Sequence, residues 1–289
     1  MFKNIFIANP KSGNGKYEKF LNELIACAKE AKVDNFLWST TSEKYHAIEL
    51  AKYYSTKYPD SIIYSVGGDG TLNEVVNGIN SNTKLAIIPT GTGNDFFRVY
   101  KDIKGTKKIN IGAVNGIKFI NMASVGIDAK IADTANKLKY SNQKILSYPR
   151  SIISEIINYN PDKLTINEDK SLTTLLTVCN GAYYGNGVPM NPNYDLNSDG
   201  FNVLHTPKLS RREIVILLLK IFKGTHLEDR KVKVYKSDNI IVESDKEIIC
   251  NIDGEIIKGY DFEFKLVKDG ITVTNDIPQY VKKAISSIK

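Results

Sequence analysis

Cysteine, tryptophan and histidine are scarce in this chain: three, one and three residues among 289. Cys27, Cys179 and Cys250 are scattered, odd in number and outside any CxxC or Cys/His cluster. That excludes a disulfide framework and a structural zinc centre, and fits a reducing cytoplasm. His46, His205 and His226 lack the spacing of metal ligands. Long apolar runs are missing too, since the longest, residues 214–219, falls far short of the ~20 residues of a membrane-crossing helix. The opening MFKNIFIANP has no apolar core with a small-residue cleavage site and reads as a strand rather than a secretory leader. No internal repeat and no linker rich in Pro, Gly or Ser interrupts the chain, so its domains abut.

What is present is an ordinary globular composition, 42% hydrophobic and 25% charged, long enough for two domains with buried cores. The net charge of +7 favours an anionic partner: a nucleotide, a nucleic acid or an acidic membrane surface.

Residues 5–8, 35–38, 62–66 and 85–88 are apolar, β-branched runs. Between them lie helix-period stretches at 17–31, 44–54 and 72–79. This βαβ alternation predicts a mainly parallel sheet with helices on both faces, whose punctuated strand ends are where such folds bind ligands. After residue 126 the pattern changes. Helical stretches at 127–138 and 145–157 precede eight short strands, at 163–167, 173–180, 201–205, 231–235, 240–242, 248–252, 262–266 and 272–274. One helix, 211–222, interrupts them, and another closes the chain at 279–288. That succession predicts an antiparallel sandwich or barrel beginning near residue 125.

Three polar, glycine-bearing loops follow strands of the first half. The strongest is the GGDGT segment Gly67–Thr71, which follows an apolar strand and opens an amphipathic helix running to Gly78. Its glycines let backbone amides approach a polyphosphate, and the helix N-terminus adds partial positive charge. Asp69 within such a loop would repel phosphate unless a cation lies between them, which points to Mg²⁺. The alternative is a tight Gly-Asp-Gly turn with Thr71 as helix cap and Glu74 completing a capping box. In chain order the GGDGT segment is the second of the three: the first is Asn9–Lys16, and the third, Pro89–Phe96, offers Asn94 and Asp95 oxygens. None completes a Walker A loop or a GxGxxG fingerprint, which argues against hydride transfer. Asp253-Gly254, between apolar strands, reads from the residues alone as a hairpin turn.

In this order the loops resemble the diacylglycerol kinase catalytic-domain family, the soluble bacterial lipid kinases to which sphingosine and ceramide kinases are related. The matches are Asn9-Pro10-Lys11-Ser12-Gly13, the GGDGTLNEVVNG segment, and Gly91 to Asp95 with Arg98. Ser124-Val125-Gly126-Ile127-Asp128, Asn180-Gly181, Gly185, Gly187, Pro192, Asp199-Gly200 and Ile252-Asp253-Gly254-Glu255 extend the likeness over nearly the whole chain.

The resemblance implies an α/β fold: a doubly wound, NAD-kinase-like nucleotide-binding domain at 1–125, joined by the returning segment 276–289, and an antiparallel β-sandwich at 126–275. It implies ATP contacts at Asn9, Pro10, Lys11, Ser12, Gly13, Thr41, Gly67, Gly68, Asp69, Gly70, Thr71, Leu72, Asn73, Glu74, Thr92 and Asn94. Asp69 and Asp95 carry over to a hydrated Mg²⁺ network, Asp253 to the proton acceptor, and Glu255 to a position near nucleotide and metal. A separate structural metal site carries over to Asp199 with the carbonyls of Leu196 and Phe201, although Ser198 stands where the family has Asp and Tyr194 where it has Ala. The implied activity is Mg-ATP-dependent phosphorylation of diacylglycerol or a related lipid to phosphatidic acid by a cytoplasmic protein that visits the membrane surface. Lys11, Lys16 and Lys19 could face phosphate or anionic lipid. No nucleic acid or transmembrane segment enters this reading, and both a monomer and a homodimer fit it. NAD kinases share GGDGT and make a soluble hydroxyl the competing acceptor, but Asn9–Gly13 favours the lipid branch. A nucleotide-binding regulator without turnover is the reading from another class.

Overall fold

The computed structural model describes residues 3–139, 147–196 and 198–288. The first part of the chain alternates β1 (Asn4–Ala8), α1 (Lys16–Glu30), β2 (Phe36–Thr40), α2 (His46–Lys57), β3 (Ile62–Gly67), α3 (Asp69–Gly78) and β4 (Lys84–Pro89). A short α4 (Phe97–Tyr100) and β5 (Thr106–Val114) follow. Then come β6 (Ile117–Phe119), β7 (Met122–Gly126), α5 (Ile127–Lys139), α6 (Ser147–Ile157), β8 (Asp162–Ile166), β9 (Asp169–Cys179), β10 (Phe201–Pro207), α7 (Arg211–Lys223), β11 (Lys233–Ser237), β12 (Asn239–Ile252), β13 (Glu255–Thr274) and α8 (Gln279–Ser286).

The chain divides into one unit of Met1–Ile111 with Lys268–Lys289 and a second of Gly112–Val267. The division therefore falls at 111/112 and 267/268 rather than near 125 and 275. The reason lies in strand pairing. Gly112–Val114 pairs with β6, and β7 pairs with β9 and β12, whereas Thr272 and Val273 pair with β4.

In the first unit β1 lies between β2 and β3, with β4 beyond β3, and these three pairings are parallel. The side-chain period of two sends Phe6, Ala8, Tyr64, Val66 and Ile88 to one face, where they meet Phe20 and Leu24 of α1 and Val281 and Ala284 of α8. Ile5, Ile7 and Ile63 alternate to the other face, on which α2 and α3 pack. Strands buried on both faces read as continuous apolar runs, which is why they were legible in the sequence.

In the second unit every strand pairing is antiparallel. The predicted strands at 240–242 and 248–252 are one strand, β12, irregular between Glu243 and Ile248. Those at 262–266 and 272–274 likewise fall within β13. Phe119, Val125, Leu176, Val203, Val242 and Phe264 share the inner core. On the opposite face Met122, Leu175 and Leu204 are covered by Ile127 and Ile131 of α5 and by Ile214, Leu217 and Ile221 of α7. Ser210 and Glu213 form a reciprocal capping box at the start of α7, and left-handed Gly224 ends it. The predicted helix at 145–157 is described from Ser147; residues 145 and 146 lie outside the described residues.

Candidate functional site

The three loops of the first unit leave β1, β3 and β4 at the same edge, because the strands are parallel and adjacent. They are stitched together by backbone. Asn9 N–H donates to Val66 O at 3.0 Å, and the N–H groups of Thr90 and Gly91 both donate to Gly67 O at 3.1 Å. Asn9 Nδ2 reaches Thr71 Oγ1 at 3.3 Å, and Thr90 Oγ1 reaches Ser12 Oγ at 3.2 Å. Thr41, just beyond β2, donates its N–H to Ala8 O at 2.9 Å and so joins the same edge.

These approaches need glycine. A Cβ on Gly91 would lie 2.3 Å from Gly68 Cα, and one on Gly13, whose φ is +76°, only 1.6 Å from Thr90 O. Gly13→Ala is therefore expected to push the first loop off the third, costing more than about 1 kcal/mol of stability and weakening ATP binding at least tenfold. Thermal melts and nucleotide titration check this.

The GGDGT segment is not wholly a loop. Helix α3 begins at Asp69 with Gly68 as its N-cap, and no side chain caps it. Thr71 thus lies inside the first turn, and the Thr71–Glu74 capping box does not form. The reason is that Glu74 serves another helix: its Oε2 accepts the Ala47 N–H, at the start of α2, at 3.2 Å. Leu72 and Asn73 are buried, and the Leu72 N–H donates to Gly68 O at 3.0 Å. Gly67 gives its carbonyl to the third loop, while Gly70 is exposed at the helix start. Pro10, Lys11 and Thr92 are exposed on their loops. Asn94, at φ +53°, turns its amide to Gly91 O at 2.7 Å and so braces its own loop.

Two acidic side chains meet at this edge. Asp69 Oδ1 accepts the Asp95 N–H at 2.7 Å. Burial first, and the Asp95 charge second, push the Asp69 carboxyl above the usual carboxylate range, against backbone donors that lower it. Asp95 is buried, and the partly exposed Arg98 lies 3.6 Å from its carboxylate. Two carboxylates held close together where the loops converge fit a divalent cation, which takes oxygen ligands and keeps several waters.

In the second unit Asp253-Gly254 forms the two-residue turn between β12 and β13, with φ of +49° and +97° and Ile252 paired to Glu255. The Asp253 carboxylate accepts the N–H groups of Ile120, Asn121 and Met122 at 2.7, 3.1 and 2.9 Å. Glu255 opens β13 directly after the turn. Asp199 is exposed before β10, Phe201 is the first residue of that strand, and Leu196 is half-buried. Asn197, inside this segment, lies outside the described residues. Ser198, which stands in place of an Asp, donates to Gly200 O at 2.7 Å. Among the described residues no group of three or more His, Cys, Asp or Glu side chains could hold a metal ion, so Asp199 would have to bind one mainly with carbonyls and water.

Two residues escaped the sequence reading. Thr90 links all three loops, and its position between Pro89 and Gly91 at a strand end was the available signal. Asp128 is set among Ser124, Asn251 and Tyr184, and only its place in the Ser124–Asp128 match marked it.

Comparison with known proteins agrees with this geometry. Residues 3–122 match the diacylglycerol kinase catalytic domain, and residues 121–274 match the YegS C-terminal NAD kinase beta sandwich-like domain. The diacylglycerol kinase of Bacillus subtilis is 28% identical over 272 residues, covering 86% of this chain and 88% of that protein. The diacylglycerol kinase of Mycobacterium tuberculosis is 27% identical over 282 residues, covering 86% and 90%. The crystal structure of a diacylglycerol kinase from Bacillus anthracis str. Sterne covers 95% of this chain and 97% of its own with a TM-score of 0.66 at 19% identity. A second structure from that organism, with the same coverage, reaches 0.71 at 23%. At such identities these structures bear on the fold alone. Among the described residues no helix is long and apolar enough to cross a membrane. An α/β domain with three phosphate-type loops, a β-sandwich-like domain and two matching domain models lead to one conclusion: the chain belongs to the diacylglycerol kinase catalytic-domain family, kinases that phosphorylate an alcohol.

Proposed function

We propose that this chain uses Mg-ATP to phosphorylate the free hydroxyl of diacylglycerol or a related lipid, giving phosphatidic acid. The observation that carries the reading is the Asp69–Asp95 pair at the edge where loops from three strand ends are stitched together. Gly13, Gly68 and the first turn of α3 would hold the phosphates through backbone donors and the helix N-terminus, with the side chains of Asn9 and Ser12 beside them. Thr41 and Thr92 flank the same edge, and Lys11 and Lys16 are exposed on the first loop, where they add positive charge. Asp69 and Asp95 would hold Mg²⁺, which when bound neutralises charge on the transferring phosphoryl group. Asp253 would take the proton of the attacking hydroxyl, because the acceptor must lose it as it attacks phosphorus. Its three backbone donors fix the carboxylate's direction.

Exposed apolar side chains support a visit to the membrane. Ile153 and Ile157 on α6, and Ile216, Leu219 and Phe222 on α7, are all more than half exposed, and the two helices pack on each other. Exposed Arg150, Arg212 and Lys223 stand among them. A basic rim around apolar side chains suits an anionic bilayer surface. Replacing Ile216 and Leu219 together by Asp is expected to lower binding to phosphatidylglycerol vesicles by more than about tenfold, as burial of two such side chains is worth several kcal/mol. Vesicle co-sedimentation measures it.

The acceptor is tested directly. Purified protein is incubated with radiolabelled ATP and Mg²⁺ against micellar diacylglycerol, monoacylglycerol, sphingosine, undecaprenol and NAD in separate reactions. Label in a lipid is the expected result. Label in NAD alone overturns the lipid reading.

A further inference from the structure

The first unit has a cavity at the sheet edge opposite the three loops. It measures about 400 Å³, within the roughly 300–1,000 Å³ of small-molecule sites. Its walls are the starts of β1, β3 and β4, at Asn4, Ile62 and Lys84, and the segment that enters α8, at Asp276 and Pro278. Because the three strands are parallel neighbours, their first residues gather here while their last residues carry the loops. None of the roles above uses this edge.

One polar side chain of the wall is buried and half satisfied. Asn4 is only 5% exposed, on the sheet face it shares with Phe6 and Tyr64. Its Oδ1 accepts the Tyr64 hydroxyl at 2.8 Å, and among the described residues its Nδ2 amide has no partner. A buried donor left unpaired is costly, and an acceptor oxygen in the cavity removes that cost. A second source of positive potential adjoins it. Pro278 is the N-cap of α8, and no side chain caps this helix, so its positive end stands uncapped beside the cavity.

The charges of the wall are mixed. Lys3 and Lys84 are exposed there, as are Asp60 and Asp276, and among the described residues none of the four is in an ion pair. A bare anion would meet the two carboxylates, and a bare cation the two ammonium groups. A ligand carrying one charge of each sign satisfies both. The wall gives an acyl chain no platform: Ile62 and Ile277 are half-buried, and none of the large apolar side chains exposed elsewhere on the protein lines it.

We infer that this cavity is a second ligand site, for a small soluble zwitterion. The anionic oxygens of its phosphate or carboxylate meet Asn4 Nδ2, Lys3 and Lys84 beside the start of α8, and its ammonium group meets Asp60 and Asp276. The site lies at the far ends of the strands from the nucleotide loops, so it stands or falls apart from the lipid-kinase reading.

Calorimetric titration of the intact protein tests it. Phosphoethanolamine and γ-aminobutyrate are the phosphate and carboxylate forms of this chemistry, and inorganic phosphate, acetate and ethanolamine supply the halves alone. At least one zwitterion is expected to bind with a Kd below about 1 mM, at least tenfold tighter than either of its halves. That Kd should be the same with and without the magnesium complex of adenylyl imidodiphosphate, which competes for the nucleotide loops. Lys84→Glu, at an exposed position, and Asn4→Asp, which keeps an oxygen to accept the Tyr64 hydroxyl, are each expected to weaken binding at least tenfold, with melting temperature reporting the fold. Asp60→Asn combined with Asp276→Asn should reduce the zwitterion to the affinity of its anionic half. Failure of both zwitterions to bind, an anionic half that binds as tightly, displacement by the nucleotide analogue, or an unchanged Kd in Lys84→Glu overturns the proposal.

Discussion

Asp69→Asn is expected to abolish most kinase activity while raising the melting temperature of the metal-free protein. The carboxylate is half-buried beside Asp95, and burial first and that neighbour second push its pKa above the usual carboxylate range. The folded state then binds more protons than the unfolded state between the unfolded and the folded pKa. Stability falls as pH rises through that window, and it stays low at neutral pH. Asn removes the charge, yet its Oδ1 can still accept the Asp95 N–H. Metal-free protein should therefore melt higher at pH 7, with the difference vanishing near pH 3.

Activity moves the other way. Losing one electrostatic partner of a transferring group typically costs about 10²–10³ in kcat, and in the proposed reading the partner would also hold the cation. Mg-ATP, which stabilises any protein that binds it only when folded, should raise the melting temperature of the wild type and leave that of Asp69→Asn nearly unchanged. Equal Mg-ATP stabilisation of both proteins would remove Asp69 from the metal site.

Asp253→Asn carries the second large effect. In the proposed role of proton acceptor, Asp253 would supply about 10² or more of the rate. An amide cannot replace it, because its NH₂ accepts no proton at neutral pH. The carboxylate is also bound to three successive backbone N–H groups, at residues 120–122. An amide nitrogen turned towards one of them leaves a donor facing a donor, at a cost of about 1–3 kcal/mol. The expected result is a kcat lowered about 10²-fold or more together with a lower melting temperature and little change in KM for ATP. The pH–rate profile separates the two roles: loss of a base removes the acidic limb of kcat, whereas loss of a brace lowers the whole profile without changing its shape. Full turnover by well-folded Asp253→Asn protein would discard both.

The stability gained by removing one acidic group and lost by removing the other follows from their surroundings. Asp69 is crowded by a like charge, while Asp253 is ringed by donors. Both are Asp in a Gly-rich segment, and the sequence around them does not distinguish these environments.

Much of the first unit was legible because its strands are buried on both faces. Ile5–Ala8 and Ile62–Val66 read as continuous apolar runs, and their helices kept a clear period. Short β6 and β7 were not foreseen as strands: β7 reads Met-Ala-Ser-Val-Gly, small residues with little β-branching, and its identity comes from its antiparallel neighbours β9 and β12. The joining of 240–242 to 248–252 was hidden by the polar residues Ser244–Glu247, which mark a turn locally but lie within a strand held by β13.

By itself, the sequence determined the fold class, the family and the convergence of three loops, since periodicity and short-range motifs carry those. Whether Thr71 capped its helix, whom Glu74 served, what Asp253 touched and what surrounds Asp128 were decided by tertiary structure. Each depends on partners dozens to more than a hundred residues away: Ala47 for Glu74, Ile120–Met122 for Asp253, and Asn251 for Asp128. Hydrogen bonds and charge interactions act over a few ångströms of space, and only the folded chain sets those distances.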